Sequence, residues 1–220
     1  NKTYLYSYDP DVFGKKELIG NWGFTNVTKN WNWKDADQKP VQVAVFSNGD
    51  EVELIQNGTS VGKLTSGTRL AAELPHSFLF DLTYLPGTLE AVSYKDGKEI
   101  SRDTLVTTGP AKEIRLIQEK KELSANGHEV TYIRVEIVDE NGIVVPDAAL
   151  RLSAAVEGVG SLAAFGSSNP ITDENYTSGT FTSYHGTATA IIRSGYQTGM
   201  CTLTVGCEGL DEKKIAFTIK

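Results

Sequence analysis

The sequence predicts an all-β protein made of two tandem immunoglobulin-like β-sandwich domains. Threonine, valine and isoleucine, which are enriched in strands, together make up about a quarter of the 220 residues. No segment repeats apolar residues at the three- and four-residue spacing of an amphipathic helix, whereas short alternating segments recur between turn residues. A chain of this length accommodates one large or two ordinary domains.

The patterning divides the chain into three parts. Residues 1–34 are irregular and rich in aromatic side chains, so we expect an N-terminal segment packed on the first domain. Regular strand patterning follows, breaks at Gly109-Pro110 and then restarts. We therefore expect one β-sandwich over residues 35–109 and a second over residues 110–220.

Six strands are predicted in the first domain. Val41, Val43 and Val45 alternate with other residue types at the period of two that a half-buried strand requires. Asn48-Gly49 and Asn57-Gly58 tolerate positive φ and favour tight reversals, so this segment predicts a meander of three paired strands. The predicted strands cover residues 41–46, 51–56, 60–65, 78–82, 88–94 and 99–107.

The pattern of the second domain is typical of an immunoglobulin-like sandwich. Short strands come at regular spacing with turn residues between them. We expect two strands around a turn at 139–142, and a loop rich in glycine, serine and asparagine over 158–180. The remaining predicted strands cover residues 113–118, 187–193, 201–207 and 214–219.

Charge and hydropathy exclude two classes of partner. The net charge is −7 and the basic residues are scattered, whereas nucleic-acid binding needs a concentrated basic face. No apolar run approaches the ~20 residues that span a bilayer. The chain opens at Asn1 with neither an initiator methionine nor an apolar leader, so we expect a piece of a longer polypeptide.

Cys201 and Cys207 lie ~20 Å apart on one strand, too far for a disulfide, and are predicted to be buried free thiols.

Two glycine-rich motifs match functional fingerprints only in their letters. Residues 58–62 fit G-x-S-x-G, but the nucleophile elbow of hydrolases needs a helix after the serine, and here a strand pattern follows. Residues 158–163 fit the dinucleotide pattern G-x-G-x-x-A, yet glycine, serine and proline soon interrupt the required helix. A hairpin and a loop are the better interpretations, and no cofactor is predicted.

No metal site is predicted either. His76, His128 and His185 lie far apart in the sequence and show no ligand spacing. Residues 139–142 resemble the start of a calcium-binding loop, but Leu150 occupies the position of the closing acidic ligand. The segment is interpreted as a turn.

Acidic and aromatic side chains supply the remaining candidates. Asp50, Glu51 and Glu53 could suggest a carboxylate pair for glycoside hydrolysis, but neighbours on a hairpin do not face each other across a cleft. No catalytic residue is therefore predicted. Trp31 and Trp33 are two residues apart, share one face if the segment is extended, and form a candidate sugar-binding platform. Burial of the two rings between chain segments is the favoured alternative.

Several phrases of the sequence occur in the order found in one enzyme family. The matching phrases are Trp31-Asn32-Trp33, VQVAVFSNGDEVELIQNGTSVG over 41–62, GTLEAVSY over 87–94, Gly97-Lys98-Glu99, and the segments 135–146 and 185–194. Together they resemble the C-terminal accessory β-sandwich domains of bacterial glycoside hydrolase family 2 enzymes of the β-galactosidase type. One departure is Asn30, which stands before the W-N-W phrase where that family often has histidine.

The resemblance implies a function that the residues alone do not. In this family the catalytic glutamates belong to a (β/α)₈ barrel of ~250 residues, more than this chain contains. The resemblance therefore implies a non-catalytic C-terminal region in a periplasmic or secreted bacterial enzyme. Its implied partners are the catalytic barrel and other domains of the parent chain, with carbohydrate as a further partner. Two alternatives stay open: spacer or binding modules of a bacterial surface adhesin, and a carbohydrate-binding module based on Trp31 and Trp33.

Overall fold

The computed structural model describes residues 1–17, 25–65 and 76–220, and the chain divides into two compact units, Asn1–Thr107 (unit 1) and Thr108–Lys220 (unit 2). Its regular structure is almost entirely strand, with one 3-10 helix at Pro10–Val12 among the described residues, which confirms the all-β prediction. The strands of unit 1 are β1 (Thr3–Ser7), β2 (Pro40–Ser47), β3 (Glu51–Gln56), β4 (Thr59–Thr65), β5 (Ser77–Thr83), β6 (Thr88–Lys95) and β7 (Lys98–Val106). Those of unit 2 are β8 (Glu113–Gln118), β9 (Glu122–Leu123), β10 (Val130–Val138), β11 (Arg151–Gly158), β12 (Gly160–Gly166), β13 (Thr180–Thr182), β14 (Thr187–Ser194), β15 (Gly199–Cys207) and β16 (Leu210–Ile219).

Unit 1 is a sandwich of two antiparallel sheets, ordered β1-β2-β5 and β4-β3-β6-β7. Alternation along each strand places one set of side chains on the inner face, where burial removes apolar surface from water. The inner faces of the two sheets contribute to one core cluster, which includes Leu5, Val41, Val43, Val45, Val52, Leu54, Phe78, Phe80, Leu89, Ala91 and Leu105.

The N-terminal residues take part in this sandwich. Strand β1 pairs antiparallel with β2 from Thr3, opposite Ser47, to Ser7, opposite Val43. A further bridge joins Ser7 to Thr28, so the segment before β2 returns to the same sheet edge. Leu5 on β1 is fully buried in the core cluster, and unit 1 therefore includes residue 1 onward.

The predicted meander is half right. Asn57 and Gly58 have φ of 50° and 79° and close a two-residue hairpin between β3 and β4, as predicted. The pairing predicted across Asn48-Gly49 is wrong, because β2 and β3 belong to different sheets. Immediately after Gly49, the backbone N–H of Asp50 donates to the carbonyl of Tyr94 on β6 at 2.8 Å, so the chain pairs with β6 instead of returning along β2.

Unit 2 contains two further sheets, ordered β12-β14-β10-β8 and β13-β11-β15-β16-β9. All pairings are antiparallel except the short contact between β9 and β16. The core cluster includes Ile114, Ile133, Val135, Ile137, Leu152, Phe165, Phe181, Ala190, Ile192, Leu203, Val205 and Phe217. No helix of the described residues is long and apolar enough to cross a membrane.

One expectation for unit 2 is wrong. The loop predicted over 158–180 contains β12, which pairs with β14 and buries Phe165 completely. Its glycines are required by close packing, since a Cβ on Gly160 would lie 2.7 Å from the sulfur of Cys201. The strands expected before and after the turn at 139–142 are present as β10 and β11, with β10 in the first sheet of unit 2 and β11 in the second.

Candidate functional site

The candidate sugar platform begins with Trp31, which lies in the core of unit 1. The segment around it is not a strand, and only 1% of Trp31 is exposed. Its indole N–H donates to the carbonyl of Leu85 at 3.2 Å, and its ring packs edge-on against Tyr84 with centroids 4.8 Å apart. This burial satisfies the polar edge of the indole and leaves Trp31 no exposed face on which a sugar could stack.

Trp33 is partly buried and holds a different set of contacts. Its indole N–H donates to the hydroxyl of Ser7 on β1 at 3.1 Å, and its backbone N–H donates to the hydroxyl of Tyr84 at 3.3 Å. The Tyr84 hydroxyl in turn donates to the carbonyl of Trp31 at 2.9 Å, and the hydroxyl of Thr107 donates to the same carbonyl at 2.8 Å. The W-N-W segment thus joins β1, the end of β5 and the end of β7 within unit 1.

Asn30 completes this arrangement from inside the protein. It is buried, and its side-chain oxygen accepts from the backbone N–H of Asn32 at 2.8 Å. Its carbonyl accepts from the hydroxyl of Ser7 at 2.6 Å. A buried polar group is stable only when it is hydrogen-bonded, and Asn30 meets this condition through contacts within unit 1.

The acidic residues of β3 form an ion-pair network on the outside of its sheet. The ammonium of Lys63 lies 2.9 Å from Glu51 and 3.8 Å from Glu53, and it sits over the Tyr94 ring. The Tyr94 hydroxyl donates to Glu53 at 3.1 Å. A hydrogen bond from Ser60, with Tyr94 and Lys63 adding to it, holds the pKa of Glu53 below its usual value. A catalytic acid needs a raised pKa, so this network favours stable ionised carboxylates.

The other motifs are likewise held in regular structure. Residues 58–62 lie in the β3–β4 hairpin and 158–163 run from β11 into β12, so neither motif precedes a helix. Within the described ranges, no group of three or more histidine, cysteine, aspartate or glutamate side chains is placed to hold a metal ion. The turn that resembles a calcium loop uses its aspartate, Asp139, to bind backbone N–H groups.

Asp139 is a buried carboxylate with a structural role. One oxygen accepts from the N–H groups of Asn141 and Ile143, both at 2.9 Å, and the other accepts from the N–H of Gly109 at 3.0 Å. Burial opposes the charged form, but these hydrogen bonds outweigh it and lower the pKa of Asp139. The carboxylate therefore fixes both the turn after β10 and the first residues of unit 2.

The two cysteines are free. Cys201 is buried and Cys207 is partly buried, and both lie on β15. Burial raises the pKa of both thiols, which keeps them protonated and poorly nucleophilic.

One cavity lies apart from all the sites that the sequence suggested. Its volume is about 340 Å³, and it opens beside the end of β1 and the 3-10 helix. Six of the residues that line it are Tyr8, Phe13, Lys15, Glu17, Asn26 and Gln42. No sequence pattern pointed to this cavity, because its lining joins residues 8–17 to Asn26 and Gln42.

Comparison with known proteins matches each unit to a described domain. Residues 114–216 match the glycoside hydrolase family 2 C-terminal domain 5, and residues 38–101 match a domain of unknown function (DUF4982). The β-galactosidase BoGH2A of Bacteroides ovatus is 28% identical over 209 residues, which are 95% of this chain and 23% of that protein. A solved structure of a family 2 glycosyl hydrolase from Bacteroides cellulosilyticus superposes with a TM-score of 0.88 at 28% identity, over 99% of this chain and 28% of that one.

The chain is therefore similar to the C-terminal accessory region of family 2 glycoside hydrolases, and residues 114–216 match a C-terminal domain of that family. This confirms the resemblance found in the sequence phrases. A β-galactosidase of Thermoanaerobacter pseudethanolicus, 29% identical over 182 residues, is also matched over 78% of this chain and 23% of its own length. The chain thus spans about a quarter of the length of these curated relatives.

Proposed function

We propose that this chain is the non-catalytic C-terminal region of a β-galactosidase-like family 2 glycoside hydrolase and supports the architecture or substrate access of the parent enzyme. One observation carries the proposal: almost the whole chain aligns with a β-galactosidase, yet it accounts for only 23% of that enzyme's length. The remaining length of the relative accommodates a catalytic barrel of ~250 residues, which this chain is too short to supply.

The chemistry of the described carboxylates supports a non-catalytic role. A retaining glycosidase needs two carboxyl groups ~5–5.5 Å apart across a cleft, with the pKa of the acid raised. The carboxyl groups with a clear shift here are those of Glu53, Glu129 and Asp139, and the pKa of each is lowered by hydrogen bonds or nearby cations. These groups are suited to holding strands and turns in place, which is an architectural task.

A hydrolysis assay tests the non-catalytic role. The purified chain is incubated with a chromogenic β-galactoside and, separately, a β-glucuronide, and we expect only background release of the chromophore. Turnover that disappears when one acidic residue is replaced by its amide would contradict the proposal. The first such variant is Glu53→Gln, because the carboxylates of Glu53 and Glu51 lie close enough to share the ammonium of Lys63.

The sequence encoded before Asn1 tests whether the parent protein is a glycoside hydrolase. A catalytic (β/α)₈ barrel in that position supports a family 2 hydrolase. A series of further immunoglobulin-like repeats there would instead assign the chain to an adhesin and overturn the proposal.

A further inference from the structure

The cavity beside Tyr8 has walls that local structure fixes in place. The 3-10 helix is capped by Asp9, whose carboxylate accepts from the N–H of Asp11 at 2.9 Å. The N–H of Phe13 then donates to the carbonyl of Pro10 at 3.1 Å, and the N–H of Lys15 donates to the carbonyl of Val12 at 2.9 Å. These bonds hold the turn that carries Phe13, so the aromatic wall is formed before any ligand arrives.

The polar part of the lining is also held in place by contacts within unit 1. Tyr8, of which only 6% is exposed, donates from its hydroxyl to Glu17 at 3.1 Å, and the N–H of Asn26 donates to the other oxygen of Glu17. Burial first, and then the Glu17 charge, raise the pKa of Tyr8, so the phenol stays protonated and keeps donating. On β2, the side-chain amide of Gln42 donates to the carboxylate of Asp81 at 2.7 Å.

Unused polar groups surround the opening. Lys15 and Lys16 are exposed and make no ion pair with any residue that the structure describes. The side-chain amide of Asn26 likewise has no hydrogen-bond partner within the described part of the chain. These groups can donate to a ligand without giving up a contact with a described residue, which reduces the cost of binding.

The chemistry of this cavity selects the class of ligand. An aromatic ring together with a few fixed polar groups is typical of small-molecule sites, and the volume lies within their usual range of ~300–1,000 Å³. A pyranose has one face of C–H groups, which packs against the negative face of an aromatic ring, and a rim of hydroxyls, which needs amide, ammonium and carboxylate partners. Phe13 is 37% exposed and supplies the first surface, while Lys15, Glu17 and Asn26 supply the second.

We propose that this cavity binds a single hexopyranose residue of a glycan, with Phe13 against its C–H face. The proposal rests on the proposed role in a glycoside hydrolase for its choice of a sugar, and on the geometry for its position. Both a neutral galactoside and a uronic acid present the ring and hydroxyls that the cavity needs. Lys15 and Lys16, which make no ion pair with a described residue, favour the uronic acid, whose carboxylate they can neutralise.

The test is direct binding of two sugars to the 220-residue chain. Methyl β-galactopyranoside and glucuronate are titrated separately, and saturation-transfer NMR identifies the sugar protons in contact with protein. We expect transfer to the ring C–H protons of at least one sugar. Phe13→Ala should weaken binding about tenfold, the effect of losing one favourable ring contact. The matched control is Tyr4→Ala, a tyrosine of similar exposure, 41%, that lies outside this cavity and should leave affinity unchanged.

Further outcomes separate the parts of the proposal. Tyr8→Phe, which retains the buried ring, should weaken binding if the phenol and Glu17 form the polar wall. Absence of transfer to both sugars, or equal affinity in the Phe13 and Tyr4 variants, would overturn the site. Neither result would touch the non-catalytic role, because hydrolysis and the polypeptide preceding Asn1 decide that separately.

Discussion

Replacing Trp31 by alanine should destabilise unit 1 by ~3–5 kcal/mol, the range for removing a large buried aromatic side chain. The indole is 1% exposed, so nearly all of its apolar surface is lost from the core. Within that total, the edge-on contact with Tyr84 contributes ~0.5–1.5 kcal/mol and the hydrogen bond to the Leu85 carbonyl ~1 kcal/mol. Trp33→Ala is the matched control and should cost less, because that ring is only partly buried.

Urea unfolding followed by tryptophan emission measures this change. All three tryptophans of the chain lie in unit 1, so the emission reports on unit 1 without interference from unit 2. With a slope of ~1–3 kcal/mol per molar urea, the Trp31→Ala midpoint should fall by at least ~1 M. A fall no larger than that of Trp33→Ala would refute the structural role. Unchanged stability together with sugar-dependent emission lost only in Trp31→Ala would instead support the sugar platform.

The remaining predictions concern single contacts. Asp139→Asn should cost unit 2 ~1–3 kcal/mol at pH 7 by circular dichroism, because buried N–H groups lose a charged acceptor, whereas the exposed neighbour variant Glu140→Gln should be neutral. Because the pKa of Asp139 is lowered in the folded state, its contribution to the free energy of unfolding is present above pH ~4 and is lost as the pH falls through the folded pKa. Acid should therefore destabilise the wild type more than Asp139→Asn. Gly49→Ala should cost ~1–3 kcal/mol of overpacking, because its Cβ would lie 2.8 Å from the Tyr94 carbonyl; a change below ~0.5 kcal/mol would contradict this close approach. Thiol titration of the denatured chain without reductant should find two free thiols, and finding none in a monomer would show the β15 assignment to be wrong. In the folded chain, the partly buried Cys207 should react before the buried Cys201.

Local pattern was sufficient where neighbouring residues decide the structure. Val41, Val43 and Val45 predicted β2 because alternation alone defines which side chains can be buried together. Asn57-Gly58 predicted its hairpin because positive φ at both positions is a property of the dipeptide. The phrases of the family resemblance lie on these strands and turns, so the sequence also indicated the family before any fold was known.

Local sequence could not predict which strands pair with each other. Asn48-Gly49 has the same turn chemistry as Asn57-Gly58, yet it leads from one sheet to the other, because the next N–H meets the carbonyl of Tyr94, 44 residues away. Likewise β12 contains too many glycines and alanines to resemble a strand, and it is stabilised by the complete burial of Phe165 against residues distant in sequence.

The candidate sites show the same division. Composition, alternation and turn residues were enough to predict an all-β chain and to give the order of its strand, turn and family phrases. The burial of Trp31 in the core, and the cavity that Phe13 and the polar groups near Tyr8 enclose, became apparent only in the folded chain. The physical reason is that alternation and turn propensity act over a few residues, whereas burial and enclosure depend on which distant strands supply the opposite wall.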